Sequence, residues 1–295
     1  MSLSKITNTL ALVAALLISS ASAHTAVEQF TANGISYPGF YEGSKVAPDN
    51  KSPAWWTNQG WGYQPIYGSD INSPDIIAHK DASPSPYTAP VAAGSDVTFK
   101  WHHVGQCDSG EEGWDCSHHG WTTTYLAPCN GDCKDVEKTE LEFFKIHDSA
   151  LIDYREGRFS KGAPQEQPGY WGTDAIFYTN NNKQTVTIPS DIPSGNYVLR
   201  TEVMSIHNNG DVANRQFWPQ AFNVKVTGGD DSASVPEGVK GTELYHDSDA
   251  LLQWDLYWHK AEETFSTAAG PVVPAAIAAS LSNKKARRHA KDFSS

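Results

Sequence analysis

The sequence predicts an all-β protein, an immunoglobulin-like or fibronectin-like antiparallel β-sandwich with long loops. Short runs that alternate polar residues with β-branched or aromatic ones recur along the chain, and glycine or proline bounds them. Helical periodicity is scarce by comparison. A sandwich can extend to about 200–250 residues as one unit. We therefore expect a single folded domain.

Six runs are the predicted strands, and they lie at 95–101, 121–126, 141–146, 184–188, 196–203 and 222–226. Turn residues separate them: Gly94, Pro189, Gly195 and the pair Gly228-Gly229. Proline fixes φ and glycine permits positive φ, so these positions suit chain reversals. We find no internal repeats.

Residues 1–23 have the three parts of a secretory signal peptide. Lys5 lies in the basic start, an apolar run extends from Leu10 to Ile18, and small residues end at Ala23. The apolar run is too short to span a bilayer. We expect a secreted, extracellular protein whose first residue after processing is His24.

The remaining chain divides into a folded domain, 24–270, and a tail, 271–295. The tail is rich in alanine and then in basic residues. Such a composition buries too little apolar surface to order a segment by itself. The sequence therefore predicts a disordered C-terminal tail.

Charge and composition limit the partners. The net charge is -12 and the pI is about 5.3, which argues against nucleic acid because phosphates need a basic face. No second apolar run is long enough for a membrane span. Ten Trp and twelve Tyr suit stacking on sugar rings, although burial in a sandwich core also explains many of them. We expect a monomer that acts on a neutral partner.

The four cysteines predict two disulfides, because an exported chain meets an oxidising compartment. Cys129 and Cys133 close one tight loop. Cys107 and Cys116 are the natural second pair, although four cysteines permit three connectivities and a Cys-only zinc site is a rival interpretation.

A processed N-terminal histidine has unusual metal chemistry, since one residue offers both an α-amine and an imidazole nitrogen. A second histidine would complete three nitrogen donors, a set that suits oxidised copper. The candidates for this second ligand are His102, His103, His118, His119 and His147. Spacing by itself does not choose among them.

Several motifs, in one consistent order, span most of the predicted domain. They are Pro74-Asp75-Ile76-Ile77, Thr88-Ala89-Pro90-Val91, Ser117-His118-His119-Gly120, Thr124 to Cys133, Thr139 to Ile146, Thr187-Ile188-Pro189, Gly195 to Arg200, Pro219-Gln220, and Leu244-Tyr245-His246-Asp247. With these motifs the chain resembles the auxiliary-activity family 9 lytic polysaccharide monooxygenases.

The resemblance implies a copper site of the histidine-brace type. His24 would supply its amine and one ring nitrogen, and His118 the third nitrogen. His207 and Gln216 would be catalytic residues that hydrogen-bond oxygen species. The resemblance also implies one copper ion per chain, an external electron donor, dioxygen or hydrogen peroxide, and cellulose or a related β-glucan as the polysaccharide substrate.

The chain departs from the family pattern beside the expected metal. Trp218 stands at the axial position where the family has a tyrosine, and an indole N–H has no lone pair for a metal. Trp121 follows the Ser-His-His-Gly motif in place of proline, and we expect its ring to pack on Trp218. Ala78 and Ala221 occupy both positions of a family disulfide.

Substrate contact in the family uses aromatic side chains around the copper. The candidates here are Trp55, Trp56, Tyr257 or Trp258, and Phe265. Each of them has a packing role as its alternative.

Two other functions compete with oxidative cleavage of β-1,4-glucan. The first is copper binding without cleavage, which the tryptophans Trp218 and Trp121 favour. The second is glycoside hydrolysis, which needs two carboxylates across a scissile bond. The acidic residues give no such signature, since Glu140 and Glu142 lie on or beside a predicted strand and Glu111 and Glu112 lie between cysteines.

Overall fold

The computed structural model describes residues 24–39, 51–57, 63–104, 117–153, 169–207, 211–256 and 265–282. The strands are β1 (His24–Ala32), β2 (Ile35–Pro38), β3 (Trp56–Thr57), β4 (Ile66–Tyr67), β5 (Ala82–Ser83), β6 (Ala89–Ala92), β7 (Asp96–Val104), β8 (Thr122–Pro128), β9 (Glu142–Ser149), β10 (Leu151–Asp153), β11 (Tyr170–Trp171), β12 (Lys183–Thr187), β13 (Gly195–Ser205), β14 (Gln216–Thr227) and β15 (Val239–Lys240).

Helical elements are short. They are α1 (Asp75–Ala78), α2 (Gly172–Asp174) with a π-helical turn Ala175–Thr179 after it, α3 (275–282), and 3₁₀ turns at Gly68–Asp70, Cys133–Asp135, Lys138–Glu140, Val212–Asn214 and Gly241–Glu243. Within the described ranges, no helix has the length and apolar character that crossing a membrane requires.

Two sheets form the predicted β-sandwich. One has the strand order β12-β7-β1-β2, and the other has the order β15-β9-β8-β13-β14-β4, with β6 also paired to β14. The pairing is antiparallel throughout these two sheets except between β6 and β14, which run parallel. The all-β sandwich is therefore confirmed, with one parallel edge that the sequence did not predict.

Each of the six predicted runs coincides with a strand, with ends shifted by a few residues. The run at 222–226 is only the last part of β14, which begins at Gln216 and continues through Pro219. The strand is this long because β13 pairs with it at eleven consecutive positions. Long-range pairing thus overrides the local tendency of proline to end a strand.

The inner faces of the two sheets enclose an aromatic core. The rings of Phe30 and Phe222 stack with centroids 4.8 Å apart, and Phe99 lies 5.4 Å from each. Val203 and Trp218 belong to the same cluster and have no exposed surface. Because side chains alternate between faces, every second residue of β13 and β14 enters this core.

A second apolar cluster covers the outer face of the seven-stranded sheet. It contains Trp121, Met204 and Phe217 from the sheet, and Tyr245 and Leu252 from the loops that lie over it. The long loops are therefore packed elements with their own buried side chains.

A buried ion pair lies within this second cluster. Arg200 and Glu202 have no exposed side-chain surface, and two guanidinium nitrogens donate to the two carboxylate oxygens at 2.8 and 2.7 Å. Arg200 also donates to the carbonyls of Ile76 and Ile77, both at 2.9 Å. Thr123 donates to Glu202 at 2.7 Å. The pair connects β13 to α1 and to β8.

A buried lysine, Lys145, binds the backbone of residues 268 and 269, which precede α3. The ammonium of Lys145 donates to the carbonyls of Ala269 at 3.1 Å and Ala268 at 3.4 Å, and it pairs with Asp148 at 3.3 Å. Asp148 in turn accepts the backbone N–H of Ala268. Burial lowers the pKa of Lys145, and Asp148 opposes that effect.

Residues 271–282 differ from the disordered tail that their composition predicts. Ile277 is fully buried in the interior core, and Leu281 packs against the same cluster. The hydroxyls of Ser280 and Ser190 are 3.0 Å apart. Residues 277, 280 and 281 share one face of α3, so a single apolar stripe orders the segment on the sandwich. Residues 283–295 lie outside the described residues, as do residues 1–23.

One predicted disulfide is present, between Cys129 and Cys133. Cys107 and Cys116 lie outside the described residues. Ala78 and Ala221 are both buried in the second cluster, and α1 packs against β14.

His79 gives a prediction about pH. Its Nδ1 accepts the N–H of Lys80 and its Nε2 lies 2.8 Å from the carbonyl of Gln64, so the buried ring is held neutral. Burial lowers the pKa of His79 from 6.5 to about 4. The unfolded chain therefore binds a proton at a pH where the folded chain does not, so stability is complete above pH 6.5 and falls as the pH drops towards 4.

The expected loss is about 3 kcal/mol across this range, from 1.36 kcal/mol per pKa unit. Urea unfolding between pH 7 and pH 4 should show a shallower pH dependence in His79→Asn than in the parent protein. If the free energy of unfolding falls equally with pH in the two proteins, His79 does not contribute to the pH dependence of stability.

Candidate metal centre

Four functional candidates lie at one end of the sandwich. β1 begins at His24, opposite Val104 at the end of β7. In the other sheet, β8 and β14 begin and β13 ends at one end, which Tyr63 connects to β7 through its contacts with Trp218 and His102. His118 precedes β8, His207 follows β13, and Gln216 is the first residue of β14.

His118 and His207 stack on each other. Their ring centroids are 3.7 Å apart and the planes differ by 23°. His118 is 3% exposed, and its Nδ1 lies 3.1 Å from the hydroxyl of Ser117. The Nδ1 of His207 lies 2.8 Å from the hydroxyl of Ser205. When Nδ1 of a neutral imidazole carries the proton, Nε2 presents the lone pair that a metal needs.

The backbone of His118 is held by a tight crossing next to it. A Cβ on Gly120 would lie 1.9 Å from the carbonyl oxygen of Met204, so only glycine fits there. The hydroxyl of Thr173 accepts the Gly120 N–H at 3.0 Å and lies 3.4 Å from the His118 carbonyl. These contacts fix the approach of the segment to β13.

His119 is a structural neighbour in this segment. It is 1% exposed, and its Nδ1 lies 2.9 and 3.1 Å from the two carboxylate oxygens of Asp174. The same carboxylate accepts the Trp171 N–H at 2.8 Å. His119 is therefore engaged on the side of α2.

Trp218 closes the inner side of the cluster. Its ring is 6.3 Å from that of His118 at an angle of 48°, and it is fully buried. Its indole N–H donates to the carbonyl of Tyr63 at 2.9 Å. The Tyr63 hydroxyl contacts Nδ1 of His102, whose strand pairs with β1. Tyr63 thus connects the beginning of β1 to the Trp218 and His118 side.

The side-chain amide of Gln216 has an unsatisfied oxygen. Gln216 lies opposite Ser205 in the β13–β14 register, and its buried Oε1 accepts no hydrogen bond from the residues that the structure describes. A buried acceptor without a donor costs free energy unless a ligand satisfies it. The stacked imidazoles of His118 and His207 are the side chains of this cluster whose chemistry fits a nitrogen-binding metal.

Among the described side chains, no group of three histidine, cysteine or acidic residues could hold a metal ion by itself. The backbone of His24 is described as the start of β1, while its side chain lies outside the described residues.

The other candidate ligands make other contacts. His103 contacts Phe177 edge-on at 5.5 Å, and His147 lies on β9 opposite Thr124. His102 contacts Tyr63, as above.

The expected contact between Trp121 and Trp218 is wrong. Trp218 pairs with Val203 on β13. The Trp121 carbonyl accepts the N–H of Met204, the residue that follows Val203 on the same strand. Adjacent strand positions face opposite sides of a sheet. Trp218 therefore lies in the interior core and Trp121 in the outer cluster. Within the described part of the chain, the buried indole N–H of Trp121 has no hydrogen-bond partner.

The expected substrate contact of Trp55 is also wrong. Its side chain is 3% exposed, and its indole donates to Asn223 at 2.6 Å. Trp56 is half-buried and packs against the interior core. The backbone of Trp55 pairs with Ala221, in the middle of β14 and away from its Gln216 end. The hydrogen bonds of Trp55 to Ala221 and Asn223 hold this loop on β14. The sequence of the loop does not predict these contacts.

Phe265 is half-buried and meets Trp254 edge-on at 4.6 Å. Tyr257 and Trp258 lie outside the described residues. The carboxylate of Glu140, considered for hydrolysis, is 73% exposed and pairs with Lys240 at 2.6 Å. Nothing in this contact suggests an acid or base in a cleft.

Sequence reasoning missed two contributors to the cluster. Ser205 carries a detectable signal, since it lies two residues before His207 on a predicted strand. Tyr63 carries none, because it reaches Trp218 from a loop.

The fold and the cluster together define a β-sandwich protein with a stacked histidine pair at one end of its larger sheet. The model of Auxiliary Activity family 9, formerly GH61, matches residues 24–265. The chain belongs to this family, whose members are copper-dependent lytic polysaccharide monooxygenases.

Individual relatives agree with this assignment. An AA9 family lytic polysaccharide monooxygenase of Aspergillus oryzae is 40% identical over 261 residues, which cover 87% of this chain and 93% of the relative. One from Thermoascus aurantiacus is 37% identical over 79% of this chain and 93% of its own. The extended catalytic domain of an H. jecorina lytic polysaccharide monooxygenase has a TM-score of 0.69 and 32% identity, and the match covers 85% of this chain and 91% of that one.

Proposed function

We propose that the mature chain, beginning at His24 after removal of residues 1–23, is a secreted monooxygenase that oxidatively cleaves β-1,4-glucan chains such as cellulose. The observation that carries this proposal is the stacked pair His118 and His207, at the end of β13 where Gln216 begins β14. It supports a metal centre at the end of the sandwich where the mature chain begins.

The metal in this proposal is one copper ion. His24 binds it with its α-amine and ring, and His118 with Nε2, which gives the three nitrogen donors that oxidised copper prefers. Copper supplies one-electron chemistry with an external electron donor and dioxygen or hydrogen peroxide.

The other residues of the cluster would position the ligands of the metal and exclude water from it. His207 and Gln216 hydrogen-bond a small oxygen ligand, and Ser117 orients the ring of His118. The indole of Trp218 donates its N–H to the Tyr63 carbonyl, so it would exclude water from its side of the cluster without binding the metal.

Copper binding without cleavage is the second candidate, and Trp218 is the observation that favours it. Axial identity tunes the potential of a copper site. A fully buried indole removes the oxygen atom that the family places there.

One experiment separates the two candidates. Copper-loaded mature protein is incubated with cellulose and a reductant, and soluble products are analysed by mass spectrometry. Oxidised oligosaccharides that depend on both copper and reductant support the first candidate. Tight copper binding with no oxidised product across a panel of β-glucans and hemicelluloses supports the second.

The axial position gives a further prediction. Trp218→Tyr places a phenolic oxygen, which has lone pairs, where the indole has none. We expect a changed copper EPR spectrum and reduction potential, with copper affinity kept within about tenfold because the three nitrogen donors remain.

The matched control is Trp218→Phe. It removes the same hydrogen bond to Tyr63, at a cost of about 1 kcal/mol, but adds no oxygen. Identical EPR spectra for the Tyr and Phe variants would show that no axial oxygen reaches the metal.

A further inference from the structure

The serine that precedes His207 has a specific arrangement. The Ser205 side chain is fully buried. Its Oγ lies 2.8 Å from Nδ1 of His207 and 3.5 Å from the backbone N–H of the same residue. Both contacts of this hydroxyl among the described residues are therefore with His207.

We propose that Ser205 is a positioning residue that sets the tautomer of His207, by donating its proton to Nδ1 so that the imidazole N–H lies on Nε2. This inference rests on the proposed function, in which His207 is the hydrogen-bond donor to an oxygen ligand.

The direction of the bond follows from burial. A buried hydroxyl proton needs an acceptor inside the protein. The backbone N–H of His207 is a donor and cannot accept it. The ring nitrogen Nδ1 is the acceptor within reach, and a neutral imidazole that accepts at Nδ1 must carry its proton on Nε2.

His118 requires the opposite tautomer. To bind metal through Nε2 it must keep its proton on Nδ1, where the Ser117 hydroxyl can accept it at 3.1 Å. Two parallel rings, 3.7 Å apart, would thus present different groups at Nε2. His118 offers a lone pair to the metal, and His207 offers a proton to the ligand beside it.

The fully folded, metal-free protein with ¹⁵N-labelled histidine tests the proposal. Long-range ¹H–¹⁵N correlation spectra report which ring nitrogen carries the proton. We expect the Nε2–H tautomer for His207 in the parent protein, its loss as the dominant form in Ser205→Ala, and its return in Ser205→Thr, which restores a hydroxyl on a β-branched side chain suited to β13.

Ser117→Ala is the matched control. It removes a hydroxyl from the other ring, so it should leave the His207 tautomer unchanged and weaken copper binding about 10-fold to 100-fold. Ser205→Ala should leave copper affinity unchanged, because His207 is not a ligand.

An Nδ1–H tautomer of His207 in the parent protein, or an unchanged Nε2–H tautomer in Ser205→Ala, would overturn the proposal. If Ser205→Ala does not fold, the spectra of the parent protein and of Ser205→Thr still show whether His207 carries its proton on Nε2. Since these spectra need neither copper nor polysaccharide, a failure of the tautomer proposal is distinct from a failure to detect cleavage.

Discussion

Replacing His118 by alanine is expected to weaken copper binding by more than about 100-fold, because it removes one of three nitrogen donors, whereas loss of a hydrogen bond to a ligand costs about 10-fold to 100-fold. It also removes the stack on His207 and the bond to Ser117. Isothermal titration of the metal-free mature protein with copper, under a competing chelator, measures the change.

The control for this variant is His246→Ala, which removes an exposed histidine. Its affinity should equal that of the parent protein. Retaining Ala23 before His24 should have an effect as large as His118→Ala, since the amine donor becomes an amide. If copper affinity survives both changes, the metal does not bind at the beginning of β1.

Arg200→Met is expected to lower the free energy of unfolding by about 3–5 kcal/mol, the usual cost of removing one partner of a buried ion pair. Burial lowers the pKa of Arg200, but Glu202, Tyr245 and Tyr125 together raise the pKa above its usual value, so the guanidinium stays charged. Without it, the carboxylate of Glu202 is left buried with only the hydroxyl donors Thr123 and Tyr245. Urea unfolding at neutral pH measures the loss.

Lys100→Met provides the comparison. Lys100 pairs with Glu28 on the surface, where the lysine side chain is 41% exposed, so we expect a loss below about 1 kcal/mol. The double variant Arg200→Met/Glu202→Leu should regain most of the stability, because an apolar pair leaves no buried charge. A double variant as unstable as Arg200→Met would mean that packing, and not charge, explains the effect.

The strands could be predicted because alternation is a local property, and the runs that became β7, β8 and β13 show it clearly. β1 and the first half of β14 could not, since they gain their strand character from partners far away in the chain. Pro219 inside β14 would locally argue for a turn.

The candidate site also has a part that the sequence predicts and a part that it does not. His118 and His207 follow from motifs, and the structure stacks them. The positions of Trp55 and Trp121 depend on which face of a sheet each residue meets, and a shift of one residue reverses that face. The sequence around a loop tryptophan does not indicate whether its indole N–H will donate to a buried acceptor, as that of Trp55 does to Asn223.

The segment 265–282 has a practical consequence for anyone who modifies this enzyme. The family match ends at residue 265, but a truncation there would strip Lys145 of its two carbonyl acceptors and remove Ile277 from the core. The Ser190–Ser280 contact lies beyond the Gly195 end of β13, roughly 33 Å along that strand from Ser205 at about 3.3 Å per residue. An affinity tag or fused cellulose-binding module attached after α3 would therefore start from the end remote from the proposed copper ligands. Any N-terminal tag would convert the proposed amine donor of His24 into an amide.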